Sequence, residues 1–460
     1  MIPSSFRDPS GFLFRDNAGK LYRQVNQQYK AHFDHLIQSG LYDKLTQAGL
    51  LILHREAEMS LSQTDTAYRI IQPDIVPFIS YPYEWSFGQL KDAALATLRI
   101  QKIALRHGMT LKDASAYNIQ FYQGKPLLID TLSFEQYQEG QAWIPYRQFC
   151  QHFLAPLALM ALRDVRLNQL LRVHIDGIPL DLAAKLLPWR AYFKLSLLLH
   201  IFLHVRGQAQ YTNRTTEQPQ AQRQLSEQSL ENLIDNLIAG IQSLNWQPAG
   251  GDFTWTDYYQ GDSYTQTGFD HKKQLVQQFA EQAAPHTAWD LGANTGVFSR
   301  ILSDKGIFTV SCDIDPGAVE INYRQMVKQQ EQHLHPLLVD LTNPSPAIGW
   351  ANQERDAFRD RGQPDLVMAL ALIHHLAISN NVPLSRIAQE FARLGRWLIV
   401  EFVPKQDKKV QQLLATREDI FTHYTPEGFE AAFEQYFEIV RAEAIHDSER
   451  RLYLMRVRDN

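Results

Sequence analysis

One short stretch, residues 288–300, constrains the fold of this chain more than any other. It begins as an apolar run, breaks into a turn that contains Gly292 and Gly296, and resumes with helical spacing at Val297. Gly292 can adopt the positive φ that a sharp turn needs, and Gly296 lets the start of a helix lie close to the strand or to a ligand. The N–H groups of a helix start favour an anionic or strongly polar ligand group. The stretch therefore predicts a strand, a tight turn and a helix.

Further apolar segments of strand length follow this turn, with segments of helix length between them. Four of them are residues 307–312, 335–340, 364–370 and 397–403. Such alternation predicts a parallel sheet covered on both faces, with its ligand crevice at the carboxyl ends of the strands. Two last segments, residues 436–442 and 451–457, flank a polar turn and are typical of an antiparallel hairpin.

Acidic residues end the second and third predicted strands. Asp313 lies 23 residues after Asp290 and is followed by Ile314. An acid at this position is placed to accept hydrogen bonds from the two hydroxyls of a ribose. Asp340 ends the third strand and is followed by Leu341.

These motifs resemble those of the class I S-adenosylmethionine-dependent methyltransferases, over roughly residues 230–460. The segment Asp290-x-Gly292-x-x-x-Gly296 is similar to the first motif of that family, in which the acid serves the methionine part of the cofactor. The resemblance implies a Rossmann-like domain with a seven-stranded sheet and S-adenosyl-L-methionine as the cofactor. It implies contacts to that cofactor from Asp290, Gly292, Asn294, Gly296, Asp313, Ile314, Asp340 and Leu341. Asn294 separates the turn from the dehydrogenase pattern, which has glycine there.

Two groups of residues are candidates for the acceptor side of the reaction. His374 and His375 follow the fourth predicted strand, and histidine suits removal of a proton near neutral pH. Their alternative role is to cap the strand or to contact the cofactor backbone. An aromatic stretch before the core, with Trp255, Tyr258, Tyr259 and Tyr264, is expected to cover the cofactor or, alternatively, to anchor the packing.

Signatures of other acceptors are missing from the sequence. No Asn/Asp-Pro-Pro-Tyr/Phe segment follows the fourth strand, and the two cysteines, Cys150 and Cys312, form no zinc or thiol motif, so no metal site is expected. We therefore expect O-methylation of a small-molecule or carbohydrate-type acceptor. The net charge of −5 argues against nucleic acid as a partner.

The N-terminal region carries a second motif. Asp113-x-x-x-x-Asn118, followed by Asp130 at the end of an apolar strand, is similar to the catalytic and metal-binding segment of protein kinases and aminoglycoside phosphotransferases. The resemblance implies an α+β kinase-like domain in which Asp113 orients a hydroxyl while Asn118 and Asp130 hold magnesium. The alternative is that all three are turn and cap residues.

The sequence departs from the kinase pattern in three ways. It has no glycine-rich loop in the first hairpin, no lysine on a third strand, with Arg23 and Arg55 the nearest basic residues, and Leu111 where a histidine is usual. We expect this domain to recognise the substrate. The alternative is a bifunctional protein whose N-terminal domain is an active ATP-dependent phosphotransferase.

The resulting domain plan has four parts. Residues 1–206 form the kinase-like domain, 207–228 a Gln-rich linker, 229–284 a helical and aromatic lead-in, and 285–460 the methyltransferase core. The N-terminus lacks an apolar segment of signal-peptide length, which indicates a cytoplasmic protein. The apolar run 195–205 is too short to span a bilayer and is expected to be a buried helix, with a helix lying on a membrane surface as the alternative. The oligomeric state is not indicated.

Overall fold

The computed structural model describes residues 2–203, 226–248, 264–415 and 417–458. The chain divides into two compact units. Unit 1 comprises Met1–Trp246 and Ala347–Asp356, and unit 2 comprises Gln247–Pro346 and Ala357–Asn460. The fold of each unit is described separately.

Unit 1 begins with a four-stranded antiparallel sheet in the order β1-β2-β4-β3. The first hairpin is formed by β1 and β2, which pair around a turn in which Asp16 Oδ1 accepts hydrogen bonds from the backbone of Ala18 and Lys20. Two further antiparallel pairs, β5 with β8 and β6 with β7, follow. The strands are β1 (Gly11–Arg15), β2 (Leu21–Asn26), β3 (His54–Ala57), β4 (Ala67–Pro73), β5 (Met109–Leu111), β6 (Ile119–Tyr122), β7 (Lys125–Leu128) and β8 (Phe134–Gln136).

The longest helix of unit 1, α3, starts at a capping box. Ser86 Oγ accepts a hydrogen bond from the backbone N–H of Gln89, whose side chain accepts one from the backbone N–H of Ser86, and these bonds satisfy donors that a helix start leaves free. The α-helices of the unit are α1 (Lys30–Gln38), α2 (Leu41–Gln47), α3 (Phe87–Leu105), α4 (Tyr146–Phe149), α5 (Ala155–Leu162), α6 (Leu170–Val173), α7 (Leu180–Leu186), α8 (Leu195–Leu197) and α9 (Glu227–Ser243). Two π-helical segments, Cys150–Leu154 and Leu198–Leu203, continue α4 and α8.

Helix α9 belongs to unit 1, which corrects the predicted domain plan. Lys102 Nζ of α3 pairs with Asp235 Oδ1 of α9 at 2.6 Å, and Lys91 Nζ donates a hydrogen bond to the carbonyl of Leu244 at 2.7 Å. The unit boundary therefore lies after Trp246, not at residue 229. Amphipathic spacing predicted the helix, but it could not predict which core the apolar face would join. Most of the predicted linker, residues 207–225, lies outside the described residues.

The short segment Ala347–Asp356 also belongs to unit 1 although unit 2 precedes and follows it in sequence. Arg7 Nη2 forms an ion pair with the buried Glu354 carboxylate at 2.6 Å. The backbone N–H of Asp356 donates a hydrogen bond to Tyr81 Oη at 2.8 Å, and the guanidinium of Arg355 stacks over the ring of Tyr117.

Unit 2 contains a sheet of seven strands in the order β11-β10-β9-β12-β13-β15-β14. The first five are parallel, whereas β15 runs antiparallel to both β13 and β14. The strands are β9 (Thr287–Leu291), β10 (Phe308–Asp313), β11 (Leu334–Leu338), β12 (Leu366–Ala369), β13 (Trp397–Phe402), β14 (Phe437–Ala444) and β15 (Arg451–Val457). Each overlaps a segment for which a strand was predicted, including the closing hairpin.

The helices of unit 2 follow from local signals in the sequence. Asp315 caps α12 by accepting hydrogen bonds from the backbone of Gly317 and Ala318, and Pro316 occupies its first turn, where proline is tolerated. Helix α10 packs Leu275, Val276 and other apolar residues into the core of the sheet. The α-helices are α10 (Gln266–Ala283), α11 (Ser299–Ser303), α12 (Pro316–Gln329), α13 (Leu384–Leu394), α14 (Lys408–Leu414) and α15 (Pro426–Phe433).

No helix in the described part of the chain is long and apolar enough to cross a membrane.

The close packing around Gly296 leads to a first prediction. A Cβ atom at Gly296 would lie 2.5 Å from Asn322 Oδ1 and 2.7 Å from Arg300 Nη1, and φ is +76°. We expect Gly296→Ala to lower the free energy of unfolding of unit 2 by about 1–3 kcal/mol more than Gly306→Ala does, because overpacking adds to backbone strain. Gly306 is the matched control, since its φ is +82° and no atom lies within 4 Å of the corresponding Cβ position. Urea denaturation measures both, and equal losses would contradict the packing argument.

Candidate functional site

A cavity of about 300 Å³ opens at the carboxyl ends of the parallel strands of unit 2. Its wall includes the turn after β9, the end of β10, the segment after β11 and the segment after β12. Of the predicted cofactor residues, six line it: Gly292, Asn294, Asp313, Ile314, Asp340 and Leu341. The chain reverses its strand order at β9, between β10 and β12, which is where α/β sheets form ligand crevices.

The turn after β9 is fixed to the neighbouring strand. The backbone N–H groups of Gly292 and Ala293 both donate to the carbonyl of Cys312, at 2.9 and 2.8 Å. Gly292 has a φ of +80°, as the sequence predicted, and Gly296 and Asn294 also have positive φ, of 76° and 51°. Asparagine tolerates this left-handed conformation better than most residues. The turn therefore presents backbone to the cavity without an intervening side chain at Gly292.

Asp313 is the acid of the cavity wall. Its two carboxylate oxygens accept hydrogen bonds from the backbone N–H groups of Asn294 at 2.7 Å and Asp315 at 2.8 Å. Burial raises its pKa to about 6 in spite of these bonds. Each oxygen of a carboxylate can accept a further hydrogen bond, so Asp313 can still bind ligand hydroxyls.

Asp290 lies beneath this wall and does not line the cavity. It is buried and accepts a hydrogen bond from Ser299 Oγ at 2.6 Å, and Ser299 Oγ lies 2.9 Å from Ser311 Oγ. Burial raises the pKa of Asp290 to about 7. Together these contacts join β9, α11 and β10. The predicted contact of Asp290 to a cofactor, direct or through water, stays a prediction, and Gly296 likewise lies outside the cavity lining.

The segment after β11 forms another part of the wall. Asp340 Oδ1 accepts hydrogen bonds from the backbone N–H and the hydroxyl of Thr342, at 2.8 and 2.7 Å. These bonds hold Asp340, Leu341 and Thr342 in a tight turn whose residues line the cavity.

The two candidate histidines differ in their access to the cavity. His375 lines the cavity at the start of a π-helical segment, His375–Ser379, and burial lowers its pKa to about 4. His374 is fully buried, does not line the cavity, and neither of its ring nitrogens has a hydrogen-bond partner in the described part of the chain. Burial also holds the pKa of His374 well below its usual value. Of the two, the geometry therefore brings only His375 to the site.

A cluster of buried charges that the sequence analysis missed adjoins the cavity. Glu401 at the end of β13 pairs with Lys272 Nζ of α10 at 2.6 Å and with Arg450 Nη1 at 3.4 Å, and it accepts a hydrogen bond from the backbone N–H of Ala371 at 2.9 Å. Tyr264 donates a further hydrogen bond to it. Lys272 also lines the cavity. Burial alone would raise the pKa of Glu401, but Lys272 and Arg450 outweigh it and the pKa lies below 4.5. The signal for this cluster was a glutamate in an otherwise apolar strand.

The aromatic lead-in is only partly described. Tyr264 belongs to the Glu401 cluster, and its hydroxyl accepts hydrogen bonds from Arg450 at 2.6 Å and from Lys272 at 3.0 Å. The other three predicted lid residues, Trp255, Tyr258 and Tyr259, lie outside the described residues.

The kinase-like motif residues lie near one another in unit 1. Asp113 hydrogen-bonds to Asn118, the Asn118 amide donates to Ser133 Oγ at 3.4 Å, and Ser133 Oγ donates to Asp130 Oδ2 at 2.7 Å. Arg23 Nη1 forms an ion pair with Asp130 Oδ1 at 2.7 Å. Of the two arginines named from the sequence, Arg23 thus reaches the motif. A kinase-like fold and a role for these residues stay predictions.

The sheet order, the glycine turn after β9 and the acid at the end of β10 place unit 2 in the class I S-adenosylmethionine-dependent methyltransferase fold. The chain belongs to the family of nodulation protein NoeA of Rhizobium meliloti (strain 1021), with which it is 36% identical over 462 residues, covering 98% of this chain and 95% of that protein. No protein-family model matches the chain.

Solved structures resemble parts of the chain at low identity. The bifunctional kinase-methyltransferase WbdD is 14% identical, with a TM-score of 0.31, over 46% of this chain and 43% of that chain. Magnesium protoporphyrin IX methyltransferase (ChlM) from Synechocystis PCC 6803, with bound SAM, is 17% identical, with a TM-score of 0.30, over 44% of this chain and 89% of that chain.

The Glu401 cluster leads to a second prediction. Glu401→Gln removes the negative charge and leaves Lys272 and Arg450 buried without their shared partner. We expect the free energy of unfolding to fall by about 3–5 kcal/mol, as for other broken buried ion pairs. Urea denaturation of the full-length protein measures the loss.

Glu438→Gln is the control for this substitution. Glu438 pairs with Arg456 at 3.0 Å, but both side chains are about half exposed, so its loss should cost less than about 1 kcal/mol. Equal losses of unfolding free energy in the two variants would show that burial does not make the Glu401 ion pairs more important for stability than an exposed pair.

Proposed function

We propose that this protein is an S-adenosyl-L-methionine-dependent methyltransferase that methylates an oxygen of a small-molecule or carbohydrate-type acceptor. The observation that carries the proposal is the arrangement of Gly292, Asp313, Asp340 and His375 around one cavity at the strand ends of unit 2. Because its relative NoeA is named a nodulation protein, we further propose that the acceptor is made or used in nodulation.

The cofactor is S-adenosyl-L-methionine, and the residues of the cavity fit its parts. Asp313 would accept hydrogen bonds from the ribose hydroxyls, and the turn of Asp340 and Leu341 would lie beside the adenine. Gly292 leaves room for close approach of the ligand to the backbone, since it lacks a side chain. When bound, the cofactor supplies a methyl group that its sulfonium activates for displacement.

The remaining residues of the cavity would serve the acceptor. The sulfur–methyl bond breaks as the oxygen–methyl bond forms, and the hydroxyl proton must leave the acceptor oxygen. His375 is neutral near pH 7, because its pKa is about 4, and a neutral imidazole can accept that proton. Leu370, Leu372 and Leu376 line the same cavity and would exclude water from the reacting groups.

For unit 1 we propose a role in recognising the acceptor. In the alternative, an ATP-dependent phosphotransferase, Asp130 would have to hold magnesium. Its carboxylate already interacts with Arg23, with Ser133 Oγ and with the backbone N–H of Leu132. The positive charge of Arg23 beside this carboxylate would repel a metal ion, which weighs against phosphoryl transfer.

Titration with S-adenosylhomocysteine is the test of the cofactor site. At pH 7.5, above the pKa of about 6, Asp313 is ionised and can accept two charge-assisted hydrogen bonds. We expect Asp313→Asn to weaken binding roughly ten- to a hundredfold, since such bonds contribute about 1.5–3 kcal/mol. Isothermal titration calorimetry measures the dissociation constants of both proteins.

Asp304→Asn serves as the control, because Asp304 is an exposed residue at the end of α11 in the same unit. It should bind like the wild type. If the wild type does not bind S-adenosylhomocysteine, the proposed function fails. If Asp313→Asn binds as tightly as the wild type, Asp313 does not hold the ribose.

A second experiment tests the base and the acceptor atom. With S-adenosyl-L-methionine and a panel of alcohols, oligosaccharides and amines, we expect product with hydroxyl acceptors. His375→Gln should lower turnover by roughly 10²–10⁴-fold, as for loss of a general base, while its affinity for S-adenosylhomocysteine stays close to that of the wild type.

His374→Gln separates the two histidines, since His374 does not line the cavity. It should keep its turnover once the concentration of binding-competent protein is corrected by titration with S-adenosylhomocysteine. Loss of turnover in His374→Gln alone would assign the base to His374. Methylation of amines and not of hydroxyls would overturn O-methylation.

A further inference from the structure

Unit 1 exposes a concentrated group of apolar side chains between residues 189 and 203. Of the 17 exposed large apolar side chains in the described part of the chain, six lie in this segment. The largest exposed fractions are those of Trp189, 74%, and Phe193, 79%, whose rings lie 5.6 Å apart. We call the six residues the apolar patch: Trp189, Tyr192, Phe193, Leu195, Leu199 and Leu203. The sequence predicted a buried helix at residues 195–205. In the described part, residues 195–203, one face is exposed, so the prediction is wrong for that face.

The opposite face of the segment is anchored in unit 1, so the patch cannot turn inward. Leu197 and Ile201 are buried, and they alternate with the exposed leucines at helical spacing. Nδ1 of the buried His200 lies 2.7 Å from Tyr146 Oη, and its Nε2 lies 2.8 Å from Asn236 Oδ1. Turning the leucines inward would bury apolar surface but break both polar contacts and expose Leu197 and Ile201.

The charged side chains of this segment are mostly basic. Residues 181–203 include Lys185, Arg190 and Lys194 and one acid, Asp181, which lies 3.9 Å from Lys185 Nζ. The whole chain, in contrast, has a net charge of −5. A protruding pair of aromatic rings beside a helix with exposed leucines and basic residues matches the chemistry of an anionic lipid surface. Aromatic rings favour the level of the headgroups, leucine favours the acyl region, and each basic residue near anionic lipid contributes about 1 kcal/mol.

We infer that the apolar patch of unit 1 docks this protein on an anionic lipid surface. The segment Leu195–Leu203 is far shorter than the roughly 20 residues that span a bilayer, so the docking is to one leaflet. The inference is independent of the methyl-transfer reaction, because no residue of the patch belongs to unit 2.

Co-sedimentation of the full-length protein with vesicles tests the inference. One set of vesicles contains phosphatidylcholine and phosphatidylglycerol, and the other contains phosphatidylcholine alone. We expect the wild type to bind the anionic vesicles, with weaker binding in about 1 M salt, which screens the charges. The double substitution Trp189→Ser with Phe193→Ser should lower the partition coefficient at least about tenfold, since it removes two aromatic side chains that enter the bilayer.

A matched control is available in the same unit. Trp350 and Ile144 are exposed to similar extents, 72% and 73%, and lie outside the patch. The double substitution Trp350→Ser with Ile144→Ser should therefore leave vesicle binding unchanged. Equal losses in the two double variants would overturn the inference, since binding would then follow general hydrophobicity.

Charge reversal provides an independent test. Lys185→Glu with Arg190→Glu should weaken binding to anionic vesicles, whereas Lys20→Glu with Lys44→Glu, at two exposed lysines outside the patch, should have little effect. Failure of the wild type to bind anionic vesicles would overturn the inference. So would self-association in solution that the Trp189→Ser and Phe193→Ser variant abolishes, with no vesicle binding, because the patch would then be an interface between copies of the chain.

Discussion

The buried carboxylate of Glu401 is the interaction on which the site of unit 2 depends. A charge inside a protein is costly unless its partners surround it. Glu401 obtains them from four places in the sequence: Tyr264 before α10, Lys272 of α10, the backbone of Ala371 after β12, and Arg450 before β15. Only the folded unit can bring these groups together. The same charge thus fixes the helix before the sheet, the cavity wall and the closing hairpin relative to one another.

The pKa values of Asp313 and Asp290 are shifted in the opposite direction to that of Glu401. Within the described residues neither Asp313 nor Asp290 forms an ion pair, and burial raises their pKa values to about 6 and 7. Lys272 and Arg450 therefore keep Glu401 ionised near neutral pH, whereas the acids beneath and beside the glycine turn have raised pKa values near neutrality. A ligand with positive charge would favour their ionised forms, so its binding would be linked to proton release.

Much of unit 2 could be predicted because its signals are local. The glycine turn and the apolar strands are each encoded in a few adjacent residues. The cluster of Lys272, Glu401 and Arg450 could not be predicted in the same way, since its members lie far apart in sequence and meet only through the sheet. The same reason explains why α9 was assigned to the wrong unit and why His374 and His375 could not be told apart. Adjacent residues can face opposite directions, and only the packing decides which one reaches a cavity.

The segment Ala347–Asp356 has a consequence for how this protein can be divided. The chain enters unit 2 after Trp246, returns to unit 1 for ten residues and then completes unit 2. A fragment that begins at residue 247 would contain Glu354 but not its partner Arg7. It would therefore expose a segment that folds as part of the other unit. The two units are thus not interchangeable modules. An ancestral fusion or a designed chimera that replaced one of them would have to replace this internal segment as well.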